Sequence, residues 1–274
     1  MRSHSSDPLD LVHAVRNEAC SPERAALLLA RDARPSLSIE DGLAALDRLA
    51  EPLGRIPEGS SASEQAHVLR AHLADGLGFR GDEEDYYAPQ NSYLDRVMAR
   101  RRGLPILLAI VYAAVGRRAG IEVEGIAFPG HFLARVGGAD GVYIDPFRSG
   151  RLLSSADLKQ LATRMMGSAA RVTPAHLAPV GLRPLVVRML LNLKNAHERR
   201  GDRPSTLLVC DRLVDLTDSP VFLRERGLCA LALGAVAQAE ADLTAYLERA
   251  PDASDRRAIQ RQLSALSGRS TALS

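Results

Sequence analysis

His131 and Asp145 are the residues of this chain whose types and spacing are best suited to chemistry. His131 sits in Phe128-Pro129-Gly130-His131-Phe132, and Asp145 sits in Tyr143-Ile144-Asp145-Pro146-Phe147. An imidazole moves protons near neutral pH, and a carboxylate beside it fixes its tautomer and steadies its charged form. Such a pair ordinarily serves a thiol or hydroxyl that attacks a carbonyl. No such nucleophile stands where one belongs. Without it, the pair could act only on water or on a group of the substrate.

The surrounding segments have to bring the two together. Leu104-Pro105 opens a helix, since Pro is well tolerated at the first helical position. From Ile106 to Val115 that helix is apolar on nearly every side, the mark of a buried element, and Gly120 ends it. Two strand-like runs follow, Val123–Val136 and Val142–Phe147, joined by the Gly-rich connection Gly137-Gly138-Ala139-Asp140-Gly141. Symmetric closure of that hairpin sets Val136 opposite Val142 and puts His131 on a strand, opposite about Phe147. His131 and Asp145 then share a face as diagonal neighbours, roughly 7–8 Å apart at the backbone.

Apolar helix, His on a strand and Asp on the next is the arrangement of papain-like and transglutaminase-like enzymes. In those, a Cys sits at the helix N-terminus, where the helix dipole favours its thiolate. Gly103 and Gly120 match both glycines of the transglutaminase core without a gap, and that register puts Pro105 at the nucleophile position. More closely, residues 86–153 resemble the bacterial invasion-regulator (SirB) family of transglutaminase-like proteins. The likeness is carried by Asn91, Arg101-Arg102-Gly103-Leu104-Pro105-Ile106, Pro129-Gly130-His131-Phe132 and Ile144-Asp145-Pro146-Phe147. It implies a transglutaminase-like fold, helical flanks and a regulatory role without a defined reaction. Many members of that family carry Ser or Thr two residues after the Pro, whereas this chain has Leu107.

The last 90 or so residues repeat with a period of 33. Gly201 pairs with Gly234, Leu190 with Leu223, Ala196 with Cys229 and Val214 with Leu247. A Gly between paired helices at this period is the tetratricopeptide pattern. Residues 1–80 read as helices, with starts at Ser21-Pro22-Glu23 and Ile39-Glu40-Asp41 and a third running through Val68, Leu69 and Leu73. The expected organisation is a helical region over 1–80 packed on the core, a transglutaminase-like core over 81–157, a linker over 158–180, and tetratricopeptide-like helices over 181–270. The fold class is α+β: a mostly helical chain with a papain-like core holding a small antiparallel sheet.

Composition narrows the function classes. The 274 residues carry 35 Lys and Arg against 33 Asp and Glu, a balance that disfavours nucleic acid as a general partner. The longest apolar run, Leu104 to Val115, is about 12 residues, short of the roughly 20 that span a bilayer. The N-terminus has no signal-peptide core, which points to the cytoplasm. Cys20, Cys210 and Cys229 lack metal-ligand spacing and fall at apolar positions that read as helical, so neither a metal site nor another cofactor is expected.

The basic helix RVMARR precedes the core, with Gly103 as its expected C-cap. Arg96, Arg100, Arg101 and Arg102, with Arg117 and Arg118, could hold a phosphate or an acidic peptide. A solvated face balanced by Asp82, Glu83, Glu84 and Asp85 accounts for them more simply. Tyr86, Tyr87 and Tyr93 read as rim packing. The expected site is the pair His131 and Asp145, its catalysis vestigial, with Asn91, Arg102 and Pro105 as binding residues around it. For Asn91 an ordinary turn role is as good an account. The expected partner is a protein or peptide. A hydrolase or amide-transferring enzyme with a nucleophile from outside the motif is the alternative, and a DNA-binding regulator is a weaker one.

Overall fold

Side-chain caps start the N-terminal helices. Asp10 accepts from the amides of Val12 and His13 to begin α1 (Leu11–Arg16), and Ser21 accepts from Arg24 before α2 (Pro22–Ala33). Ser38 caps α3 (Ile39–Ala50), and Ser61 with Glu64 forms a capping box at α4 (Ala62–Arg70), which runs on into a π-helical turn, Ala71–Gly76. Each cap satisfies an amide that the helix itself cannot, worth about 1 kcal/mol. The computed structural model describes residues 10–57, 59–169 and 171–271. It divides into two units, Met1–Met189 and Leu190–Ser274.

In the first unit, β1 (Arg80–Gly81) pairs in parallel with β2 (Arg102–Gly103), and α5 (Leu94–Arg100) lies between them in sequence. The expected C-cap at Gly103 is displaced. Arg101 takes the left-handed conformation at φ 60° and caps α5. Gly103 serves close approach instead, because a Cβ there would lie 2.5 Å from a Val97 methyl.

Next comes α6 (Pro105–Arg118), with Leu107, Leu108, Val111, Tyr112 and Val115 fully buried. It packs against α2, α3 and α5 on one side and on the sheet on the other. That sheet is antiparallel in the order β3 (Val123–Ile126), β4 (Leu133–Val136), β5 (Val142–Asp145), β6 (Arg151–Leu153). Val136 faces Val142 in the expected register. The single run expected over Val123–Val136 is in fact two strands that pair with each other, Ile126 opposite Leu133. The break is Pro129-Gly130. Pro lacks an amide for the ladder, and Gly130 adopts φ 69°, which a strand cannot use.

After β6 comes α7 (Ser155–Met166), started by a capping box of Ser154 and Asp157. Beyond it, the Val180 amide donates to the Gly125 carbonyl and Arg135 reaches the Leu177 carbonyl, so this stretch lies along the β3 edge. Helix α8 (Leu182–Arg199) follows.

The second unit continues with α9 (Arg203–Leu216), α10 (Pro220–Ala232), α11 (Val236–Arg249) and α12 (Arg256–Thr271). Gly201 and Gly234, 33 residues apart in sequence, both take positive φ between consecutive helices. The core there gathers Leu223, Leu243, Tyr246, Leu247 and Ile259. Beside it the Arg226 guanidinium donates to both oxygens of buried Asp242, at 2.6 and 2.8 Å, and to Asp211 at 3.0 Å. The fold is therefore a mostly helical α+β chain, with a small antiparallel sheet followed by repeat-like helices.

Candidate functional site

His131 lies not on a strand but in the tight turn ahead of β4. The His131 amide donates to the Phe128 carbonyl at 2.9 Å, with Pro129 and Gly130 as the central pair. Pro in the first central position and a left-handed Gly in the second are what a type II turn demands. Asp145 ends β5. Its Oδ1 accepts from the Phe147 and Arg148 amides at 3.1 and 3.3 Å, starting a 3-10 turn over Pro146–Arg148.

These two turns put His131 Nε2 2.9 Å from Asp145 Oδ1. The contact has ion-pair length, but the oxygen lies off the ring N–H direction, so Nε2 has no aligned hydrogen bond. Both side chains are about nine-tenths shielded from solvent. Phe147 stands edge-on to the imidazole, ring centres 6.1 Å apart, and Tyr86 stands edge-on to Phe147 at 5.7 Å. With Nε2 turned to Asp145, Nδ1 is the ring nitrogen left for a ligand.

The pair opens on a cleft of about 740 Å3 that Pro105 also lines. The sequence-based expectation thus has three of its five residues, Pro105, His131 and Asp145, around one cavity. Asn91 and Arg102 are not in its lining. Asn91 is fully buried: its Nδ2 donates to the Asp85 carbonyl at 2.7 Å, and its Oδ1 accepts from Arg100 at 2.7 Å. Arg100 also holds buried Asp82 at 2.7 Å, so Asn91 and Asp82 together clamp the 82–91 loop that carries Tyr86. Arg102 pairs with Glu84 at 3.2 Å and lines a separate, smaller depression with Arg80 and Ser149.

Sequence reasoning missed the opposite wall, which α7 builds. Asp157, Gln160, Leu161 and Arg164 recur at the three-and-four spacing of one helix face, and Met165 adjoins them. That spacing was the available signal. Met165 lies over the turn, where a Cβ on Gly130 would come 3.0 Å from its sulfur. Among the charges of the cleft, Arg148 pairs with Glu83 and Arg151 with Asp157.

Nucleophile candidates fare poorly. Among the described residues, no Cys, Ser or Thr lines this cleft. Pro105 is the first residue of α6 and offers neither a thiol nor an amide hydrogen. Cys20 lies in the bend before α2, not on a helix as expected, while Cys210 and Cys229 belong to the second unit. Burial pushes the Cys210 thiol up to about 12, and raises those of Cys20 and Cys229 as well. Thiols held this way are protonated and unreactive at neutral pH. Tyr112, fully buried on α6, has a hydroxyl with no hydrogen-bond partner among the described residues. Burial, with Asp75 and Asp145 adding to it, holds that phenol above its ordinary pKa.

A helix that begins at a cleft, with a His in the turn before one strand and an Asp at the end of the next, defines the class. The chain belongs to the transglutaminase-like superfamily, which matches residues 40–191, and a tetratricopeptide repeat matches residues 193–264. It is similar to a UPF0162 protein of Xylella fastidiosa (strain 9a5c), 37% identical over 234 residues that cover 82% of this chain and 83% of that one. A UPF0162 protein of Vibrio cholerae serotype O1 is 30% identical over 194 residues, 69% of this chain and 71% of the relative. F-box only protein 21 of Homo sapiens is 34% identical over 161 residues, covering 54% of this chain but 25% of that protein. No solved structure gives a significant match. Among the described residues, no helix is long and apolar enough to cross a membrane.

Proposed function

We propose that the chain is a non-catalytic, transglutaminase-like interaction protein, regulatory in role and akin to the bacterial invasion-regulator (SirB) proteins. On this reading the His131–Asp145 cleft binds a peptide or small ligand, and the tetratricopeptide-like helices recruit a protein partner in the cytoplasm. The observation that carries it is the cleft's lining: a base and a carboxylate beside it are present, and among the described residues no thiol or aliphatic hydroxyl accompanies them. The rim supports binding. Tyr86 and Met165 are large, apolar and more than a third exposed at its edge, as side chains that cover a ligand would be. The second unit supports partner recruitment, since stacked helix pairs are a common surface for protein partners.

A second reading rests on the 2.9 Å approach of Nε2 to Asp145, which sets a carboxylate beside an imidazole as general-base catalysis uses one. Such a base could activate water or a substrate amine. A pull-down with the full chain separates the two. On the first reading His131→Ala retains the partner and no hydrolysis is lost. Loss of a measurable hydrolysis with that substitution would establish the second.

A further inference from the structure

Away from the His131 cleft, the first unit holds a second cavity of about 770 Å3 between α3 and α5. Arg34, Arg48, Arg96 and Arg101 line it, and Asp41 and Asp95 are the acids among its lining residues. Arg34 pairs with Asp95 and stacks over Tyr93, its guanidinium carbon 4.6 Å from the ring centre. Its Nε is buried without an acceptor among the described residues. Arg96 approaches the same Asp95 at 3.7 Å. Arg48 and Arg101 have no ion-pair partner among the described residues.

Arg101 is the most telling of the four. It holds a left-handed backbone at φ 60°, a conformation that costs a non-glycine residue about 1–2 kcal/mol. Its guanidinium lies 4.7 Å from the centre of the buried Phe79 ring, and burial lowers its pKa. A cation that is partly desolvated, on strained backbone and without an acid, is a placement that an anion would repay.

We propose that this cavity binds a small organic phosphate ester, with Arg48, Arg96 and Arg101 holding the phosphate and the apolar floor of Leu37, Leu49 and Met98 taking the organic part. Four arginines against two aspartates leave a surplus of two positive charges, which a phosphate dianion matches and a carboxylate does not. Arg48 comes from α3, Arg96 from α5 and Arg101 from the end of α5, and a phosphate ester offers three terminal oxygens to cations supplied by separate elements. The cavity has the size of a small-ligand site.

Titration calorimetry of the full chain with phenyl phosphate, inorganic phosphate and benzoate tests this. Phenyl phosphate is expected to bind tightest of the three, and more weakly as salt is raised. Arg48→Gln and Arg101→Gly should each weaken it about tenfold. Arg48 is exposed, and glycine suits the backbone of position 101, so both variants should fold. Arg164→Gln, in the other cleft, should leave binding unchanged. Benzoate binding as tightly as phenyl phosphate would overturn the phosphate assignment. No binding of phenyl phosphate, or binding that both arginine variants leave intact, would overturn the site.

Discussion

Asp145 Oδ1 accepts two backbone amides and also lies 2.9 Å from His131 Nε2, so one oxygen both starts the turn after β5 and restrains the imidazole. The residue therefore holds the turn and faces the imidazole at once. Asp145→Ala is expected to cost about 2 kcal/mol in denaturant unfolding, through the lost cap and the unpaired turn amides. Asp145→Asn should cost less, because an amide oxygen still caps.

The His131 turn depends on Gly130. Alanine there must hold φ near 69° and come against Met165, so Gly130→Ala should destabilise by about 1–2 kcal/mol. Met165→Ala in the same chain removes the sulfur and Cγ contacts but leaves the Cβ at 3.2 Å and the backbone strain, and should recover only part of the loss. Thermal unfolding of the single and double variants checks this.

If Pro105 occupies the nucleophile position, Pro105→Cys should create an activated thiol. It would sit at the N-terminus of α6 in the cleft of His131, and its pKa should fall roughly a unit or more below the ordinary value of about 8.5. Iodoacetamide alkylation followed against pH reads this directly. The unmodified chain is its own control, because burial keeps Cys20, Cys210 and Cys229 protonated. His131→Ala on top should return the new thiol towards ordinary reactivity.

Asp82 supplies a pH dependence. Burial would raise its pKa, but the Arg100 guanidinium, the Asp85 amide and Asn91 outweigh that and hold it below the usual carboxylate range. A depressed folded-state pKa contributes stability that is complete well above the unfolded value of about 3.9 and is lost as pH falls through the folded value. Asp82→Asn should therefore flatten the acid limb of stability below about pH 4. Arg100→Ala, which strands buried Asp82 and Asn91, should cost about 3 kcal/mol at neutral pH.

What could be read in advance followed periodicity. The all-round apolar run of α6, the facing of Val136 and Val142, and the 33-residue spacing of Gly201 and Gly234 are local patterns with one good structural solution each. The strand break at Pro129-Gly130 was also written in the residue types, but the continuous run from Val123 to Val136 concealed it. Arg101 as the α5 cap was not legible, because glycine is the usual residue in that conformation and Gly103 stood two places away. The α7 wall was hidden for another reason. The spacing of Asp157, Gln160, Leu161 and Arg164 marks a helix face, but its meeting with the His131 turn joins Gly130 to Met165, 35 positions apart, and no local pattern says what that face covers.

Turnover is the most direct test of whether the enzyme frame lacks its reaction. The purified full chain, incubated with a broad panel of amide and ester probes, should hydrolyse or transfer none of them faster than the His131→Ala variant does. Turnover of any probe that disappears with His131→Ala would contradict the account, and would make the His131–Asp145 pair a working base.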